Sequence, residues 1–106
     1  MLENRFKTKL KDELEELFPG CLVLHLDPNE IQGIPDLLIL YKDKWAALEG
    51  KKSANAPTQP NQPYYVERMN QMSYAAFIYP ENKEEILHEL QQTLQSGRPA
   101  RLSRRQ

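Results

Sequence analysis

Two acids and a lysine flank the most apolar stretch of the chain. Asp36 opens the run LLILY, and Glu49 and Lys51 close the next apolar segment, KWAALEGK. Strand side chains alternate faces, so Glu49 and Lys51, two residues apart, point the same way. If the two segments pair as a hairpin, the start of the first lies opposite the end of the second, which brings Asp36 near both. Two carboxylates brought together repel, and each resists ionising. A divalent cation between them removes that conflict, and oxygen ligands with open positions for water suit Mg²⁺ or Mn²⁺. A metal held this way lowers the pKa of bound water and polarises a phosphoryl oxygen. A nearby ammonium offsets the negative charge that grows on a pentacovalent phosphate. The chemistry of these three groups points to hydrolysis of a phosphodiester.

The elements that must position them follow from periodicity. Residues 2–18 place Leu2, Phe6, Leu10, Leu14 and Leu17 on one stripe, which predicts a helix stopped by Pro19-Gly20. CLVLHL reads as a strand and DPNEIQG as a turn-rich loop. PDLLILY and KWAALEGKK read as a hairpin around Lys42-Asp43-Lys44, and four consecutive apolar residues in the first of them predict burial on both faces. SANAPTQPNQP, with three prolines in eleven residues, breaks regular structure and reads as a lid-type or active-site loop. NQPYYVERMNQM is a helix with Asn61 or Gln62 at its cap and Pro63 in the first turn. SYAAFIY is a strand. Asn82 and Glu85 form a capping-box start to a last helix that buries Ile86, Leu87, Leu90 and Leu94 and ends at Gly97. The order α-β-β-β-α-β-α defines an α/β protein with a mixed sheet of about four strands flanked by helices.

The 106 residues suit one domain with a single modest core. A net charge of −1 excludes a protein that coats nucleic acid over its whole surface, yet leaves room for a local basic patch. No run of about 18 apolar residues predicts a membrane span, and the charged N-terminal segment lacks the apolar stretch of a secretory signal. Cys21 is the only cysteine, so an intrachain disulfide and a cysteine zinc site are excluded and a reducing cytoplasm is expected. Cys21 itself reads as a small buried hydrophobe.

Pro35-Asp36 followed by Glu49-Gly50-Lys51 resembles the PD-(D/E)xK nuclease signature. Gly33-Ile34 before it, and Ser53 and Gln62 after it, resemble the small virus-type replication-repair (VRR-NUC) branch. The chain order is similar to that of archaeal and phage Holliday-junction resolvases of the same superfamily. The resemblance covers residues 33–79. It implies a restriction-endonuclease-like core in a nuclease domain of residues 1–97; residues 98–106, with four arginines and no acid, read from composition as a basic, flexible tail. It implies Asp36 and Glu49 as ligands of Mg²⁺ or Mn²⁺, the Gly50 carbonyl completing the coordination, Lys51 as the catalytic lysine, and Gln62, or alternatively Gln59, as a glutamine beside that lysine. One position departs from the pattern: a strand-forming valine or similar residue usually stands where this chain has Gly50. Glycine weakens a strand but admits close backbone approach. Superfamily members often draw a further acid from the first helix. Glu3 falls roughly 30° from the centre of the apolar stripe, and Glu13, on the stripe's edge, is the second candidate.

Blander readings compete at each position. Asp36 could cap a strand turn, and Glu49 with Lys51 could be a surface ion pair worth little; the PD pair and the hairpin weigh against that. A first-turn acid such as Glu3 favours the helix dipole in any case, and Gln62 could be a helix cap. His88 reads as solvated and His25 as semi-buried. Tyr64, Tyr65 and Tyr74 could stack on bases, with packing preferred. The helix lysines Lys7, Lys9 and Lys11 read as solvated charge. Lys52 and Ser53 beside the site, and the tail residues Arg98, Arg101, Arg104 and Arg105, are assigned to nucleic-acid contact. The expectation is a structure-selective, metal-dependent DNA nuclease of a bacterial or phage-infected cytoplasm, acting on branched DNA as a homodimer. The rivals are a non-catalytic nuclease-fold module in a phage or repair complex and an RNA-directed nuclease.

Overall fold

Phe6, Leu10 and Leu14 recur at four-residue steps, and all three are buried where Glu3–Leu17 winds into α1. The computed structural model describes residues 3–95. Of Glu3 only the backbone is described, and the tail arginines Arg98, Arg101, Arg104 and Arg105 lie outside the described residues. After α1 the chain runs through β1 (Leu22–His25), β2 (Leu37–Tyr41), β3 (Lys44–Gly50), α2 (Gln62–Met72), β4 (Ala75–Ile78) and α3 (Lys83–Leu94). This is the order read from the sequence. The four strands form one sheet in the order β1-β2-β3-β4. β1–β2 and β2–β3 pair antiparallel and β3–β4 pair parallel, with α2 as the crossover. The molecule is therefore an α/β protein with a mixed four-stranded sheet flanked by helices.

The sheet has two unequal faces. On one, Phe6, Leu10, Leu14 and Phe18 meet Ile39, Leu48, Ile78 and Leu90 in the main core. On the other, Val66 of α2 packs on Ala47 and Ala75, with Trp45, Met69 and Phe77 at the margin. Ala46 and Ala47, both fully buried, let helices approach β3 from both sides.

Four local expectations change. The hairpin loop is two residues, since Tyr41 pairs with Lys44, and Lys42 takes a left-handed φ of 57° of the kind such tight turns demand. In β2 Leu37, Ile39 and Tyr41 are buried; Leu38 and Leu40 are half-buried because α2 packs chiefly over β3 and β4. His25 is exposed, at the end of the edge strand β1. Asn82 precedes α3 but does not cap it: its side chain turns back, accepting from the Tyr79 N–H and donating to the Phe77 carbonyl. Among the described residues no helix is long and apolar enough to cross a membrane.

Candidate active site

The β2–β3 ladder runs from Tyr41↔Lys44 to Leu37↔Leu48, and one further step sets Asp36 opposite Glu49. Directly opposed residues share a face. Leu48 points into the main core and Ala47 toward α2, so alternation turns Glu49 and Lys51 toward α2. The backbone N–H of Lys51 donates to the Ile78 carbonyl (2.8 Å), which fixes the chain just past the end of β3.

A second constraint brings the two halves of the site together. Gly33 has a φ of 93°, and a Cβ built there would lie 2.6 Å from Asn61 Cβ and 2.8 Å from the Asn61 carbonyl carbon. Glycine is required here twice over, by the backbone conformation and by the close approach. The contact presses the loop that carries Pro35-Asp36 against the residue that opens α2. Asn61 is itself left-handed (φ 74°) and makes no side-chain cap, and Pro63 occupies the first turn.

Asp36, Glu49, Lys51 and Gln62 line one cavity of about 520 Å³, together with Lys7 and Lys52. Glu49 is 4% exposed and Lys51 7%, so both charges need polar partners. Gln62 serves both. Its Oε1 accepts from Lys51 Nζ (2.8 Å) and from the Gln59 N–H (2.7 Å), while its Nε2 donates to Glu49 Oε2 (3.1 Å). Lys51 Nζ also donates to the Pro57 carbonyl (3.1 Å), which ties the proline-rich loop to the site. Of the two glutamines, Gln62 bridges acid and lysine through its side chain, and Gln59 joins through its backbone. Asp36 Oδ1 accepts from the Gly50 N–H (3.2 Å), and Asp36 Oδ2 meets the Lys7 ammonium as an ion pair.

The carboxylates of Asp36 and Glu49 are hard oxygen donors on one cavity wall. No group of three His, Cys, Asp or Glu residues gathers anywhere among the described residues. Two carboxylates leave the remaining positions to water, a backbone carbonyl or substrate phosphate, and Mg²⁺ takes such sites readily. The donor set fits that ion or Mn²⁺.

Other assignments divide. Glu3 opens α1, but its side chain lies outside the described residues. Glu13 is engaged elsewhere, with both its oxygens 3.0 Å from Lys83 Nζ across the α1–α3 contact. Lys52 lines the cavity and is exposed, while Ser53 is half-buried and its carbonyl accepts from the Ala56 N–H. Tyr74 is buried and hydrogen-bonds Glu89, whereas Tyr64 is 56% exposed with its ring edge-on to Tyr65. Sequence reasoning missed Lys7, which it placed in solvent. A signal was present, because Lys7 follows Phe6 and precedes Leu10 by three and so sits at the border of the buried stripe. No family model, curated protein or solved structure matches the chain. Fold and site together define an α/β protein that carries a paired-carboxylate and lysine cluster at the end of its central strands.

Proposed function

We propose that this chain is a metal-dependent deoxyribonuclease with a restriction-endonuclease-like core. One observation carries the reading: Asp36, Glu49, Lys51 and Gln62, spread over 27 positions of sequence, meet in a single cavity with acid and lysine bridged by the glutamine. Asp36 and Glu49, with the Gly50 carbonyl, are the groups that would hold Mg²⁺ or Mn²⁺. Such an ion, when bound, acidifies water and polarises the phosphoryl oxygen. Lys51, steadied by Gln62 and Pro57, presents its ammonium to the attacking water or to the charge developing on phosphorus. The water oxygen bonds to phosphorus and releases a proton to solvent, the bond from phosphorus to the 3′ oxygen breaks, and the leaving 3′ oxygen takes up a proton from solvent, which leaves a 5′-phosphate.

The likeness of the chain order to Holliday-junction resolvases is what supports recognition of branched DNA structure. One site per chain makes a homodimer the economical way to cut two strands. The edge strand β1, with Leu22 58% and Leu24 42% exposed, is the surface that supports such pairing. Lys52 lines the cavity and Ser53 follows it in the chain, both read as phosphate contacts, and the single cysteine suits a cytoplasmic setting.

The test is nicking of supercoiled plasmid, and cleavage of duplex, single-strand, flap and four-way-junction DNA with RNA counterparts, in Mg²⁺ and in Mn²⁺. Cleavage should need the metal, favour the junction, and fall at least 100-fold in Lys51→Ala and Asp36→Asn, on the scale of a lost transition-state contact. Full activity in Lys51→Ala rejects the assignment. Metal uptake without cleavage of any substrate would identify a non-catalytic binding module. Sedimentation should show a dimer at micromolar concentration, and a monomer there would reject the paired form.

A further inference from the structure

Lys7 is the charged group in the cavity that this reaction does not use. It belongs to α1, in the layer opposite α2, yet its ammonium pairs with Asp36 and its side chain lines the same cavity. The route it takes is specific. Gly50 is in phase with Ala46 and Leu48 and so faces the α1 layer. A Cβ built on Gly50 would lie 3.1 Å from Lys7 Cγ and 3.2 Å from Lys7 Cε. A branched side chain there would press on the stem of Lys7 along its length. The missing side chain at position 50 is the groove through which Lys7 crosses the end of β3 to reach Asp36.

An ammonium and a divalent cation compete for the same carboxylate oxygens. Asp36 and Glu49 stand next to each other in register on one cavity wall, and Lys7 already brings to Asp36 part of the positive charge that a metal would bring. The side chains of Lys7 and Asp36 are about one-fifth exposed (19% and 20%), so their attraction is only partly screened by solvent. On the nuclease reading of the site, we propose that Lys7 is the built-in counter-ion of the Asp36–Glu49 pair and that a divalent cation binds by displacing its ammonium from Asp36. Lys7 is then a positioning residue that sets how much metal the site requires. It holds the carboxylates together while metal is scarce, and it gives way when the stronger cation arrives. The departure at Gly50 and the lysine on α1 become two halves of one device.

The experiment is titration calorimetry with Mn²⁺ alone, on the full chain, for the wild type, Lys7→Met, Lys7→Arg and Lys7→Met/Asp36→Asn. Methionine keeps the stem over Gly50 and removes the charge. Lys7→Met should bind Mn²⁺ about tenfold more tightly, equal to about 1.4 kcal/mol. Lys7→Arg should stay near the wild type, and the double variant should lose the gain. Lys7→Gln replaces the methionine variant if that does not fold, as judged by circular dichroism. Equal Mn²⁺ affinity in the wild type and Lys7→Met, or weaker binding in Lys7→Met, overturns the role of Lys7 and leaves the nuclease reading standing. Absence of Mn²⁺ binding in every protein overturns both.

Discussion

Removing the bridge at Gln62 tests the geometry of the site without touching a charge. Gln62→Ala deletes two hydrogen bonds to charged partners, Lys51 Nζ and Glu49 Oε2, and one to the Gln59 N–H. Bonds to charged groups contribute about 1.5–3 kcal/mol each and neutral ones about 0.5–1.5. Gln62 is half-buried beside an open cavity, so water recovers part of the loss. The low ends of those bond energies total about 3.5 kcal/mol, and with water recovering part of the loss the expected net cost is about 2 kcal/mol. For a domain of this size that corresponds to a fall of roughly 10 °C in Tm. Gln59→Ala is the internal control. Its side chain is exposed and only its backbone enters the network, so the cost should stay within about 0.5 kcal/mol. Calorimetric melts of the three proteins at one pH decide the matter. If Gln59→Ala matches or exceeds Gln62→Ala, the bridging role is wrong.

Two further outcomes follow from local geometry. Gly33 and Gly20 share left-handed backbones (φ 93° and 90°), but a Cβ meets Asn61 at 2.6 Å in the first case and nothing within 4 Å in the second. Gly20→Ala should therefore cost only the backbone penalty of about 1–2 kcal/mol, while Gly33→Ala should add an overpacking cost of about 1–3 kcal/mol; equal losses in urea unfolding would refute the contact argument. Burial, reinforced by the nearby Glu15 charge, pushes the Cys21 thiol above its ordinary pKa. Its alkylation by iodoacetamide at pH 8 should be slower than that of a peptide thiol, should rise on moving to higher pH, and should speed up in Glu15→Gln; a rate equal to the peptide's would contradict this.

Much of the fold was legible because its signals are local. The four-residue spacing of Phe6, Leu10 and Leu14 sets α1, and the apolar runs on either side of Lys42-Asp43 set the hairpin. Once the hairpin is granted, register alone places Asp36 opposite Glu49, and alternation adds Lys51. What escaped depends on contacts between distant segments. In the sequence only resemblance prefers Gln62 to Gln59; the side-chain bridge from Gln62 to Glu49 and Lys51 depends on the seating of α2 against β3, fastened by Gly33 on Asn61. Lys7 looks like surface charge until the lack of a side chain at Gly50 opens its path across the sheet. Asn82 has the residue type of a cap, but the end of β4 claims its side chain first.

The central strand explains why the charges sit where they do, and what they cost. Ala46, Ala47 and Leu48 are fully buried, so β3 delivers its last residues into a region shielded from both faces. Glu49 and Lys51 emerge there with little solvent, where electrostatic interactions are strong and desolvation is expensive. A strand end chosen for stability alone would carry neutral groups. Glu49→Gln/Lys51→Met tests that statement. The carbonyl oxygen of the new amide at position 49 can still accept from Gln62 Nε2, Gln62 Oε1 keeps the Gln59 N–H, and the exposed Pro57 segment can turn to water. Each single variant should lose stability, because it upsets the balance with Lys7 and Asp36 or strips Gln62 of a donor. The double variant should melt at or above the wild type, with a coupling of at least about 1 kcal/mol between the two positions. A double variant whose loss equals the sum of the singles would mean that acid and lysine do not act as a unit. The case for a site kept at the expense of stability would then fail.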